Sequence, residues 1–177
     1  TSVATVNADG VVTAIASGST TITATTTDGT NLSASCVVTV VDSEVIIGGI
    51  KYLATDENQH TASAIGATIN SGHINILEKV DFEMEYSVNE IGASAFANSN
   101  ATSVTLPKTI SKIGDNAFGD ISTLVSLNTT PPACTSAAFG NLNADAVVYV
   151  PEVAYANYWL DAVWGKLNIR PITSVVT

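Results

Sequence analysis

"IGASAFANSNATSVTLPKTISKIGDNAFGD", residues 91–120, states one apolar pattern twice. Ile91-Gly92 with Ala95-Phe96 returns about 22 residues later as Ile113-Gly114 with Ala117-Phe118. A period of roughly 20–29 residues marks a solenoid, in which each coil buries its apolar positions against the next. Within one coil, "SVTLP" (103–107) reads as a short strand with Val104 and Leu106 inward, ended by Pro107, which has no N–H for the ladder. Ile113-Gly114 makes a corner, and Ala117-Phe118 sends a small residue and a ring inside. A weaker third copy follows: "LVSLN" (124–128) stands for "SVTLP", and "CTSAAF" (134–139) for "IGDNAF". That alignment places Cys134 at the Ile position and Phe139 at the Phe position. "VVYVP" (147–151) is the next strand, and "INILEKV" (74–80) an earlier one, with Leu77 where Pro107 stands.

Composition narrows the functional classes. Apolar residues make up 46% of the 177 positions and charged residues 12%, so a buried core is expected rather than disorder. The formal net charge of −10, with six scattered Lys and Arg, excludes a phosphate-neutralising nucleic-acid surface and disfavours an anionic membrane. No apolar run approaches the roughly 20 residues of a transmembrane helix.

Residues 1–43 have another texture, rich in Thr, Ser, Ala and Val and lacking Lys, Arg and Pro. Asp9-Gly10 and Asp28-Gly29 fall between β-forming runs as hairpin turns. Strict alternation in the last strand puts Ala34, Cys36, Val38 and Val40 on one face, which predicts a buried Cys36.

Two resemblances build on these residues. "VATVNADGVVTAIASGSTTITATTTDGTNLSASCVVTV" (about 2–41) resembles the second half of a group 2 bacterial immunoglobulin-like domain, which implies part of a β-sandwich. The coil pattern, the entry segment "VDFEMEYSVNEIGASAF" and the closing segment "YVPEVAYANYWLDAVWGKLNIRPI" resemble a BspA-type leucine-rich repeat over about 45–172. That second resemblance implies a secreted or cell-surface protein of gut or oral anaerobes, active in adhesion or contact with host protein or glycan. It brings no catalytic residues.

Individual residues support no catalytic, cofactor or metal site. His60 and His73 stand alone, without partners at ligand spacing. Glu78, Asp81, Glu83, Glu85 and Glu90 cluster, and a pair of them could serve as glycosidase acid and base or hold calcium. Alternation instead puts Asp81, Glu83 and Glu85 on a solvated strand face opposite Phe82, Met84 and Tyr86. Asp115 and Asp120 read as turn residues, and Gly48-Gly49, ahead of a strand, as a turn. Tyr155, Tyr158, Trp159, Ala162 and Val163 recur at helical spacing. With Trp164, the aromatics among them read as a cap on the last coil rather than a sugar platform. The two cysteines are expected buried and unpaired.

The expected architecture is mainly β: a partial immunoglobulin-like sandwich (1–43), then a leucine-rich-repeat solenoid (44–177). Strands are expected near 74–77, 103–107, 124–128 and 146–150, after a hairpin around 50–66. A capping helix near 152–163 closes the chain, and Phe96, Phe118 and Phe139 stack. The leading functional reading is a non-catalytic surface module recognising host protein or glycan, secreted or held at the outer surface by sequence not present here. The alternatives are a structural spacer and cap, and more distantly an accessory glycan-processing enzyme. Residues 1–43 could also self-associate.

Overall fold

The computed structural model describes residues 2–16, 18–40, 43–69 and 72–173. The chain divides into two compact units, residues 1–43 and 44–177.

The first unit holds two hairpins. β1 (Ala4–Val6) pairs antiparallel with β2 (Val12–Ala14), and β3 (Gly18–Thr25) with β4 (Ser33–Val40). Asn7 and Asp28 build the loops, their side chains accepting from the backbone N–H of Asp9 and Val11, and of Thr30. In the longer hairpin Ser19 bonds Thr39 and Thr23 bonds Ser35 across one face. The opposite face carries Ile22, Ala24, Ala34, Cys36, Val38 and Val40. No described residue of this unit is buried. Cys36 is therefore exposed, contrary to the alternation argument. Alternation assigns a face, but burial needs a second layer packed on it, and no described residue of this face is buried.

The second unit opens with β5 (Glu44–Ile47) and β6 (Ile50–Asp56), joined through Gly48 and Gly49 at φ 57° and 78°. Both central residues lie in the left-handed region that a tight two-residue hairpin demands. β7 (Thr61–Ala67) pairs with β6, and the chain then winds through successive coils. One ladder runs parallel through β7, β10 (Glu85–Ile91) and β12 (Lys112–Ile113), with a further bridge from Lys112 to Ala133. The other is a five-stranded sheet in the order β8 (Gly72–Asn75), β11 (Ala101–Leu106), β13 (Thr123–Ser126), β14 (Val147–Pro151), β15 (Asn168–Ile172). All its pairings are parallel.

Between the ladders lie repeated rungs. Ile74, Val104, Leu124, Val148 and Ile169 share one register row and are all buried. Phe96 stacks on Phe118 (centroids 6.5 Å apart) and Phe118 on Phe139 (6.0 Å), as the repeat predicts. Trp164 adds a fourth rung, edge-on to Phe139 at 4.8 Å. Coils approach so closely that a Cβ on Gly114 would sit 2.5 Å from the backbone nitrogen of Ala93. That contact, rather than an unusual dihedral, is why glycine follows Ile113.

Three expectations need correction. The third copy slips by one residue: Leu124, not Val125, pairs with Val104, and Ser126 takes the inward position of Leu106. A one-residue slip turns every side chain over, so Val125 and Leu127 point outward. Second, residues 81–85 are not one strand. β9 (Lys79–Asp81) folds back antiparallel on β10 through Phe82-Glu83-Met84, with Glu83 at φ 72°. Phe82 is buried while Met84 is exposed. Third, the helix is shorter than 152–163. A 3-10 turn (Glu152–Ala154) leads into α1 (Tyr155–Leu160). Asp161 then turns extended, and its carboxylate accepts from the N–H groups of Val163 and Trp164. That turn carries Trp164 inward, so Ala154, Tyr158 and Trp164 form the buried cap and Trp159 is left outside.

Candidate functional site

Parallel register fixes what the five-stranded sheet shows to solvent, because alternate residues leave the core together. The first outward row is His73, Ser103, Thr123, Val147 and Asn168, and the second is Asn75, Thr105, Val125, Tyr149 and Arg170. Beyond them lie Leu127, Pro151 and Ile172. None of these positions is a carboxylate, in a chain of net charge −10.

The face changes character along the stack. At the β8 end it is polar: the His73 ring sits 2.7 Å from Ser103 Oγ through Nδ1 and 3.2 Å from Thr105 Oγ1 through Nε2. Toward the β15 end, Tyr149 is the register partner of Arg170, Ile172 lies two residues beyond it, and Leu127 lies two strands away; all three are exposed. Four lysines are paired: Lys51 with Glu44, Lys79 with Glu85, Lys108 with Glu78 and Lys112 with Glu90. Among the described residues, Lys166 and Arg170 have no carboxylate within salt-bridge distance. Tyrosine and arginine are among the residue types enriched in protein-binding hot spots.

The residues singled out for chemistry are scattered. Glu78, Glu85 and Glu90 are each tied to a lysine, Asp81 ends β9 and Glu83 sits in the β9–β10 turn. Asp115 accepts from Thr135, and Asp120 from Asn143. His60 packs edge-on against Tyr86 at 5.2 Å, whereas His73 is held between Ser103 and Thr105. Among the described residues no group of three or more His, Cys, Asp or Glu could hold a metal ion. Cys134 is partly buried and unpaired; burial, then the nearby Asp161 charge, pushes its thiol up to about 11, far from a reactive thiolate. Tyr158 is pushed up to about 12, chiefly by burial.

Sequence reading missed Tyr149, Arg170 and the outward turn of Val125 and Leu127. The connection from each Phe rung to its strand varies in length. Val104 follows Phe96 by 8 residues, Leu124 follows Phe118 by 6 and Val148 follows Phe139 by 9. Register is thus not legible from spacing. The available signal was Ser126, whose hydroxyl meets Tyr158 Oη at 2.7 Å.

Parallel strands stacked at this period, with apolar rungs between two ladders, define a leucine-rich-repeat architecture. The family model for the BspA type leucine-rich repeat region (6 copies) matches residues 60–156, and the chain belongs to that family. Two solved structures are similar. A leucine-rich repeat protein from Bacteroides capillosus ATCC 29799 is 24% identical over 64% of this chain and 75% of its own, with a TM-score of 0.40. A leucine-rich cell surface protein from Faecalibacterium prausnitzii A2-165 is 20% identical over 73% of this chain and 30% of its own, with a TM-score of 0.44. No curated protein matches the chain. Among the described residues no helix is long and apolar enough to cross a membrane.

Proposed function

We propose that residues 44–177 are a short solenoid acting as a non-catalytic protein-recognition module of a secreted or surface-held protein. Residues 1–43 then belong to an immunoglobulin-like β-unit that spaces it from its neighbours. The outward sheet face is the recognition surface. The observation that carries this reading is the Arg170–Tyr149 pair, with exposed Leu127 and Ile172, on a face free of carboxylates. Membership of the leucine-rich-repeat family supports a binding role over turnover.

The test is a screen of immobilised host-matrix proteins and glycans, run with the chain and with Tyr149→Ala and Arg170→Ala. Protein ligands whose capture falls at least tenfold in both variants support the reading. Capture by glycans alone would reassign the face to carbohydrate. No reproducible ligand at all favours a spacer, and turnover lost on a single carboxylate substitution would establish an enzyme.

A further inference from the structure

The closing segment leaves a small cleft of about 200 Å³ against the last repeat coil. One wall is the loop of Leu142, Asn143 and Ala146; the other is Lys166, Leu167 and Asn168, where a 3-10 turn runs into β15. Both walls are held by the fold. Asn143 Oδ1 accepts from the Asp145 N–H and its Nδ2 donates to Asp120, each at 2.9 Å, while the Ala146 N–H bonds the Asn143 carbonyl. Opposite, the Leu167 N–H bonds the carbonyl of fully buried Trp164.

The lining includes one cation and no carboxylate. Among the described residues Lys166 has no carboxylate within salt-bridge distance, unlike Lys51, Lys79, Lys108 and Lys112. The wider cleft of about 420 Å³ beside Ala133 and Cys134 differs on this point. Its Lys112 is tied to Glu90 and its Asp115 to Thr135. A free ammonium on a concave wall attracts an anion. Asp120 and Asp145 adjoin the loop and the chain carries a net charge of −10, so a single carboxylate is favoured over a phosphate dianion.

Size and surface specify the rest. At roughly 30 Å³ per water the cleft replaces about seven waters, room for one six-membered ring and no second. The Asn143 and Asn168 amides bring donors and acceptors, whereas Leu142, Leu167 and Ala146 bring an apolar wall. A plain aliphatic acid would cover those amides without pairing them, losing their hydrogen bonds to water. A sugar ring satisfies both surfaces, through its hydroxyls and its C–H face.

We infer that this cleft binds one carboxylated six-membered sugar ring, a hexuronate. The Lys166 ammonium faces its carboxylate, and the two amides take hydroxyls. The site uses none of Leu127, Tyr149, Arg170 and Ile172, so it does not rest on the protein-recognition reading.

For about 13 non-hydrogen atoms held at ordinary ligand efficiency, the dissociation constant is on the order of 1 mM. Amide NMR of the whole chain, titrated in turn with glucuronate, galacturonate and mannuronate to well above that concentration, tests the site. At least one should give saturable shifts at residues 142–146 and 166–168. Lys166→Gln should weaken that binding at least tenfold and Asn168→Ala less, because the charge-assisted bond is the stronger. Both side chains are exposed, and unchanged amide spectra elsewhere show that the variants fold. Glucose, the ring without the carboxylate, should bind at least tenfold more weakly, as should acetate, the carboxylate without the ring. Glucose or acetate binding as well as the acid overturns the inference, as does binding that Lys166→Gln leaves unchanged. So does the absence of saturable shifts at these residues with all three hexuronates. The protein-capture screen reads Tyr149 and Arg170 instead, so either reading can fail without the other.

Discussion

At the scale of the residue, Ser126 explains most of what the repeat pattern concealed. Its position is Leu106 in the preceding coil, yet it is buried and polar. A serine fits there because Tyr158 enters from α1. Ser126 donates to Oη, which lies 2.7 Å away, and Oη donates to the Asn128 carbonyl at 3.2 Å. The sequence shows a degraded repeat; the structure shows a consensus leucine exchanged for the partner of a capping tyrosine. Burial holds Tyr158 neutral, with its pKa raised from 10.0 to about 12. Below pH 10 both folded and unfolded chains carry the proton, and the stabilisation is fully present. Between 10 and 12 the unfolded chain ionises first, so stability falls, by on the order of 2–3 kcal/mol in all. Cys134, raised from 9.0 to about 11, adds an earlier loss of the same sign. Denaturant titrations in a Cys134→Ser background should therefore show a decline above pH 10 that Tyr158→Phe reduces; Tyr52, whose pKa burial also raises, keeps part of it. A decline unchanged by Tyr158→Phe would assign it to other groups. The two thiols also differ in access: Cys36 is exposed and Cys134 partly buried with little thiolate. Native labelling at pH 8 should give one fast thiol, removed by Cys36→Ser, and one slow one.

At the scale of the element, what could be read from sequence is what local chemistry decides. Gly48-Gly49, Asp9-Gly10 and Asp28-Gly29 all fall in hairpin connections, because positive φ there is a property of the residue itself. The inner coil strands and the Phe column follow from a periodic pattern that has only one face to bury. What failed depended on partners far along the chain: the register of β13, the end of α1 at Asp161, and the inward turn of Trp164. The Phe column makes a sharp energetic demand. Phe118 is fully buried between Phe96 and Phe139, so Phe118→Ala should cost about 3–5 kcal/mol in chemical unfolding. Gly114→Ala adds a single methyl against the backbone of Ala93, and overpacking of that kind costs about 1–3 kcal/mol. Gly10→Ala, where a Cβ would meet nothing within 4 Å, tests backbone strain alone at φ 81° and should cost about 1 kcal/mol. If the two glycine variants proved equal, close coil approach would not be the constraint at Gly114.

At the scale of the whole molecule, the two units differ in the means of their own stability. Residues 44–177 bury a continuous core, from Ile50 and Tyr52 at the entry hairpin to Tyr158 and Trp164 at the cap. Residues 1–43 bury nothing among their described positions, and the β3–β4 hairpin shows Cys36 and Val37 to solvent. Texture alone exposed the difference, since threonine-rich alternation without aromatics can form strands but supplies little to pack between layers. A two-stranded hairpin is marginal in water, because its few ladder hydrogen bonds and side-chain contacts barely offset the ordering of the chain. An open apolar face is also a template for pairing, so the physical remedy is a second layer, from further strands or from another copy. Hydrogen exchange followed amide by amide separates these cases. In the isolated chain at low concentration, the amides of 18–40 should exchange by local opening, orders of magnitude faster than those of Ala101–Leu106 and Val147–Pro151. Adding further strands of a sandwich upstream should slow them toward the rates of the repeat core, whereas protection that grows with concentration would assign the layer to a second copy. Slow exchange of 18–40 in dilute chain without added strands would show that two strands suffice and that the open face needs no second layer.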